Sequence, residues 1–285
     1  MKTKFLVIVL ISLFVISVLA SAVMLIPADD RAKEKARADS SPAIEKADEH
    51  WVLTTPGLER IILIHFAKPT CDNDGICEPE LGENPSCADC KAEEEPTTTC
   101  YAFLGAKWKK VPVNYVIDPD NSDGLTEEFV TSAISTSAET WDDATVSELF
   151  NDVHLIDYES SWDINAPDGR NELVFGDYPQ DGVIAVTVIW GYFTGKPSNR
   201  RIVEFDILFD DTDYVWGDAT NPETPTVMDL QNIATHELGH GAGLGDLYSS
   251  ACAEETMYGY SDYSETKKRT LEQPDITGLQ TLYGV

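Results

Sequence analysis

Residues 100–285 of this 285-residue chain predict an α+β domain, a mixed sheet packed against helices. Three observations point there. Val111–Ile117, His154–Tyr158, Glu172–Phe175, Ile184–Trp190 and Arg201–Phe209 read as strands, being short runs rich in apolar and β-branched residues. Between the first two, Leu125, Phe129, Ala133, Ser137 and Trp141 fall four apart, the spacing of a core-facing helix. A second helix starts near Thr226 and ends at the glycine-rich run from Gly239, and a third fits Pro274–Tyr283, where proline suits a first helical position.

Composition narrows the function classes. With 42% apolar residues, 6 Trp, 11 Tyr and 10 Phe, the chain can build a core, so most of it is expected to be globular. Its 50 acidic residues against 20 basic ones leave a net charge of −30, which repels phosphates and excludes nucleic acid as a partner. Most of these carboxylates read as a solvated face.

The first 99 residues divide into three parts. Residues 1–26 begin Met1-Lys2-Thr3-Lys4 and continue as an uncharged apolar run from Phe5 to Ile26, an export segment. Cleavage at Ala20-Ser21-Ala22 makes it a signal peptide; its length of 22 residues is also enough for a membrane anchor. Either way the chain is extracellular, secreted or held at the cell surface by this helix, and has no other membrane contact. Residues 27–70 are a mixed-charge linker or propeptide with a strand at Ile61–Phe66, in which His65, like His50 before it, is read as structural. Residues 71–99 hold Cys71, Cys77, Cys87 and Cys90 with almost nothing apolar, so two local disulfides are expected to support this module before a linker at Glu93–Thr99. The catalytic domain then runs from Cys100 to Val285.

Chemistry concentrates in one stretch. His236 and His240 lie four apart, so on a helix both imidazoles leave one face and can share a zinc ion. Glu237 can reach a water at that ion, acting as general base and then handing the proton to a leaving amine. Val227, Leu230, Ala234 and Leu238 form an apolar stripe that docks the helix. Gly239 and Gly241 are expected to weaken the helix past the second ligand, and Gly243 to permit the left-handed turn that delivers Asp246 as third ligand. Three protein ligands leave one position open for water, the arrangement of catalytic zinc.

The run from His236 to Asp246 resembles the metzincin signature H-E-x-x-H-x-x-G-x-x-H/D, and Glu255–Tyr258 resembles the Met-turn of that clan. Within it the matrixin group is most similar, because Leu271–Gly284 resembles the matrixin C-terminal helix. The resemblance covers residues 100–285. It implies a metzincin-like fold with a twisted mixed sheet, a long active-site helix, a Met-turn and a C-terminal helix. It also implies a zinc-dependent endopeptidase, a monomer acting on extended protein or peptide substrates. Met257 would support the site without binding zinc, Tyr258 and Tyr260 would line the substrate pocket or simply pack, and Asp210, Asp211 and Asp213 would form a structural calcium segment. Arg201–Phe209 resembles the family's edge strand, which can hold a peptide by main-chain hydrogen bonds. Cys100 and Cys252, the only cysteines of this domain, are expected to pair.

Three departures stand out. Asp246 occupies a position where most matrixins have histidine; Gly259 stands where astacin-like enzymes carry a metal-binding tyrosine; and Lys68–Asp72 lacks the Pro-Arg-Cys-Gly of a cysteine switch. The rival reading is a non-catalytic extracellular protein-binding module on a metal-stabilised metzincin scaffold, which retention of Glu237 argues against.

Overall fold

The structure, a computed structural model, describes residues 57–68, 99–162, 164–224 and 226–285. The export segment, the Cys71–Cys90 module and its linker lie outside the described residues. Among the described residues no helix is long and apolar enough to cross a membrane.

Seven strands form the main sheet: β1 (Glu59–Ala67), β3 (Val116–Ile117), β4 (Leu155–Ile156), β5 (Glu172–Gly176), β6 (Val183–Tyr192), β7 (Arg201–Asp210) and β11 (Tyr260–Ser261). Their order is β11-β1-β6-β7-β5-β3-β4. The β3–β4, β3–β5, β5–β7 and β1–β11 pairs are parallel and the two pairs made by β6 are antiparallel, so the sheet is mixed. Two small pairs accompany it, β2 (Ala102–Phe103) with β10 (Leu244–Gly245), and β8 (Trp216–Gly217) with β9 (Met228–Asp229).

All of β6 except Tyr192 is buried, because both faces of this strand are covered. Ile184, Ala185 and Ile189 join the main core with the helices, while Val183, Val186, Val188 and Trp190 join a second cluster with Leu58 and Ile64. Two sequence expectations change here. Arg201–Phe209 is not an edge strand: β7 is hydrogen-bonded by β6 on one side and β5 on the other. The expected strand Val111–Ile117 shrinks to two residues, with Pro112 unable to donate to a ladder and Val113 forming only an isolated bridge to Phe150.

Three α-helices accompany this sheet among the described residues. In α1 (Glu127–Asp142), Thr126 caps the start by accepting from Phe129 N, and Glu127 and Glu128 sit favourably in the first turn. The second helix, α2 (Leu230–Gly241), begins later than Thr226 because Asp229 is its cap, accepting from Asn232 N; every residue but Gln231 is buried. Trp141 of α1 donates its indole N–H to Thr235 O at 2.7 Å, and Ser137 Oγ lies 3.0 Å from Thr235 Oγ1, which seats α1 against α2. The third, α3 (Gln273–Tyr283), opens with a capping box formed by Glu272 and Asp275 and with Pro274 in its first turn.

Candidate active site

Helix α2 brings His236 and His240 to one point, and the turn at Gly243, with φ of +103°, returns the chain so that Asp246 reaches the same point. A side chain at Gly243 would also meet the Ala106 carbonyl at 2.8 Å, so glycine is needed here on both counts. His236 Nδ1 donates to Thr256 O at 2.7 Å, and His240 Nδ1 donates to Leu244 O at 2.9 Å. In the neutral rings each of these bonds places the proton on Nδ1 and leaves the Nε2 lone pair free to bind a metal.

Those two nitrogens stand 3.1 Å apart, and Asp246 Oδ1 lies 3.2 Å from one and 3.4 Å from the other. Asp246 Oδ1 is buried and has no hydrogen-bond donor. With neutral rings three acceptors face one another, and a metal cation among them satisfies all three; without one, a proton on His240, which burial opposes but the Asp246 carboxylate draws upward, takes that place. Bonds of ~2.1 Å in a tetrahedral site separate ligand atoms by roughly 3.4 Å, so this donor set fits zinc. Burial pushes the His236 imidazole down to about 3, favouring a neutral ligand. Burial opposes charge on Asp246 as well, yet the adjacent His240 and His236 hold its carboxyl far below the usual carboxylate range. Its other oxygen, Oδ2, accepts from Tyr248 OH at 3.2 Å.

Support for the ligands comes from elements distant in sequence. The carboxylate of Asp275, in the first turn of α3, accepts from Thr256 N at 2.8 Å and Met257 N at 3.3 Å. It therefore holds the Thr256 carbonyl that orients His236. Met257 is buried beneath α2, and a Cβ at Gly239 would come within 2.3 Å of its sulfur and 2.6 Å of Trp141. α2 ends at Gly241, one residue past His240, while Gly239 lies within the helix, where it lets Met257 and Trp141 approach.

Glu237 is fully buried, and burial raises its carboxyl to about 7. Thr187 of β6 donates to Oε2, and His65 Nδ1 lies 3.1 Å from Oε1. The His65 ring also stacks against His236 with centroids 4.0 Å apart, and its Nε2 lies 3.1 Å from Lys268 Nζ. The ordering is consistent: Lys268 donates to Nε2, and Nδ1–H donates to Glu237. Lys268 is itself fully buried, also donating to Tyr258 O, and burial brings its ammonium down to about 7.

Of the remaining expected residues, Tyr258 is buried and Tyr260 half-buried, their ring centroids 5.7 Å apart. Tyr248 stacks edgewise on Tyr260 through the gap that Gly259 leaves. Asp210 spends Oδ1 on the N–H groups of Thr212 and Asp213 and Oδ2 on that of Tyr178; Asp211 accepts from Ser122 N. Asp210, Asp211 and Asp213 are not brought together as a metal cluster among the described residues. Cys100 and Cys252 are disulfide-bonded. Sequence reading missed the roles of His65, Lys268 and Asp275, which no local spacing announces.

Comparison with known proteins agrees with this geometry. The matrixin family model, of peptidase family M10, matches residues 107–284. Stromelysin-1 of Mus musculus is 32% identical over 180 residues, 62% of this chain and 33% of its own length. Metalloendoproteinase 1-MMP of Arabidopsis thaliana is 28% identical over 197 residues, 66% of this chain and 48% of its own. Stromelysin-2 of Rattus norvegicus is 31% identical over 255 residues, 87% of this chain and 44% of its own. The chain thus spans between a third and a half of the length of these relatives.

Proposed function

Because the chain belongs to the matrixin family, we propose that it is a zinc-dependent endopeptidase in which His236, His240 and Asp246 hold the metal and Glu237 is the general base. The observation that carries this reading is the convergence of two imidazole nitrogens and a buried carboxylate oxygen without a donor. Zinc in that position supplies the positive charge that polarises a scissile carbonyl and lowers the pKa of the attacking water towards about 7.

The chain's own residues do the rest. Thr187 fixes the Glu237 carboxylate through Oε2, and Oε1, on which His65 rests here, is the oxygen that would take the proton from water and pass it to the departing amine. Tyr248 and the Thr256 and Leu244 carbonyls hold the three ligands in place. Tyr258 and Tyr260 form the wall beside the groove. Calcium is no part of the proposal, since the Asp210 carboxylate is already satisfied by backbone N–H groups. An extracellular monomer acting on polypeptides is supported by the apolar run Phe5–Ile26 and by the charge of −30.

The test is zinc titration and casein hydrolysis, before and after a proteolytic nick in the Glu93–Thr99 linker. Cleavage that vanishes in Glu237→Ala while zinc still binds supports the reading; a nicked, zinc-loaded, folded protein that leaves casein intact sinks it.

A further inference from the structure

Strand β6 would be the free outer strand of the antiparallel ladder next to the metal ligands, were it not for β1. That strand lies antiparallel to β6 from Glu59 opposite Gly191 to Phe66 opposite Val183. Its other edge pairs in parallel with β11, Phe66 with Tyr260 and Ala67 with Ser261, and β11 begins three residues after Met257. An extended segment clasped between a sheet edge and a facing wall is the way a peptide binds by strand addition. Here the segment belongs to the chain itself.

It also covers the chemistry. With Glu237 fully buried and both its oxygens engaged, by His65 and Thr187, no water or substrate can approach the base. The His65 ring rests on that of His236. We propose that Glu59–Ala67 is an intramolecular occupant of the peptide groove, with His65 as the plug over Glu237, and that this strand withdraws before a substrate enters. The proposal rests on the peptidase reading given above.

The same contacts describe the substrate that replaces the strand. Beneath β1, Val183, Val186, Val188 and Trp190 pack on Leu58 and Ile64. Ile61, Leu63 and Ala67 pack against the main core. The vacated groove therefore takes an extended peptide with aliphatic side chains on both faces. Release is simple in chain terms: residues 68–99 connect β1 to Cys100, so one cut in the Glu93–Thr99 linker, outside the expected disulfides of the Cys71–Cys90 module, leaves β1 attached only by non-covalent contacts, without the effective concentration that the tether provides.

The experiment uses the full chain in two forms, one with a site for a specific protease inserted in the Glu93–Thr99 linker, the other carrying Ile64→Pro, which disrupts the β1 ladder from within. Amide hydrogen exchange of Val183–Tyr192 and cleavage of an extended aliphatic peptide are followed in each, with and without a synthetic peptide of residues 57–68. After the cut and dilution, or with Ile64→Pro, exchange across β6 should accelerate and cleavage rise on the order of tenfold or more, and the added peptide should reverse both. Unchanged β6 protection together with equal, substantial cleavage in all forms overturns the proposal alone, making β1 a permanent strand. Loss of the whole fold on removing β1, with the uncut chain already active, overturns it too. Faster exchange reversed by the peptide, with no cleavage in any form, keeps the assignment of the occupant and overturns the peptidase reading.

Discussion

Tyr248 and Gly239 act on the ligands without touching the metal position. Tyr248 OH holds Asp246 Oδ2, so Tyr248→Phe should weaken zinc affinity about tenfold, read by competition with a chelating dye; an unchanged affinity would show that Asp246 needs no such partner. Gly239→Ala puts a methyl group into Met257 and Trp141, and overpacking of this kind costs about 1–3 kcal/mol, measurable by urea unfolding. Wild-type stability in that variant would mean that Met257 moves aside freely. At this scale the sequence was legible wherever function depended on local spacing: His236, Glu237, His240 and Asp246 fall within two turns of helix and one loop. His65 was not legible, because it meets Glu237 across 172 residues, and neither was Asp275, whose partners Thr256 and Met257 lie on another segment.

Each helix is set by a polar residue at its end. Asp142 closes α1 by accepting from Leu149 N at 2.6 Å and also from Phe150 N, and burial raises its carboxyl to about 6. Between pH 4 and 6 the folded chain therefore binds a proton that the unfolded chain releases, so this group's contribution to stability falls as pH rises through that window. Asp142→Asn keeps the acceptor and removes the charge. The variant should be more stable than wild type by about 1 kcal/mol at pH 7, after discounting for a half-buried site, and the gap should close by pH 4. A gap independent of pH in paired denaturation curves would reject this cause. The three helices were legible from four-residue spacing and from Pro274, but their starts depended on caps. The strands were less so: β6 is buried on both faces and carries no alternation, so its neighbours could not be read from it.

The whole domain is closed by links between distant segments. The Cys100–Cys252 bond spans 152 residues, and the loop-entropy argument gives such a closure at most about 5 kcal/mol. Replacing both cysteines by serine should lower the melting temperature under oxidising conditions and leave that of the reduced protein unchanged; equal melting in both conditions would show that the link adds nothing. The sequence by itself determined the helices and the family, and it singled out His236, His240, Asp246 and Glu237 as the proposed ligands and base, because these follow from composition and from spacing within a few residues. Tertiary structure alone decided that β6 lies between β1 and β7, and that His65 and Lys268 stand behind Glu237. Pairing between strands more than 100 residues apart is set by which apolar faces can be buried together, and that is a property of the assembled sheet, which no local pattern encodes.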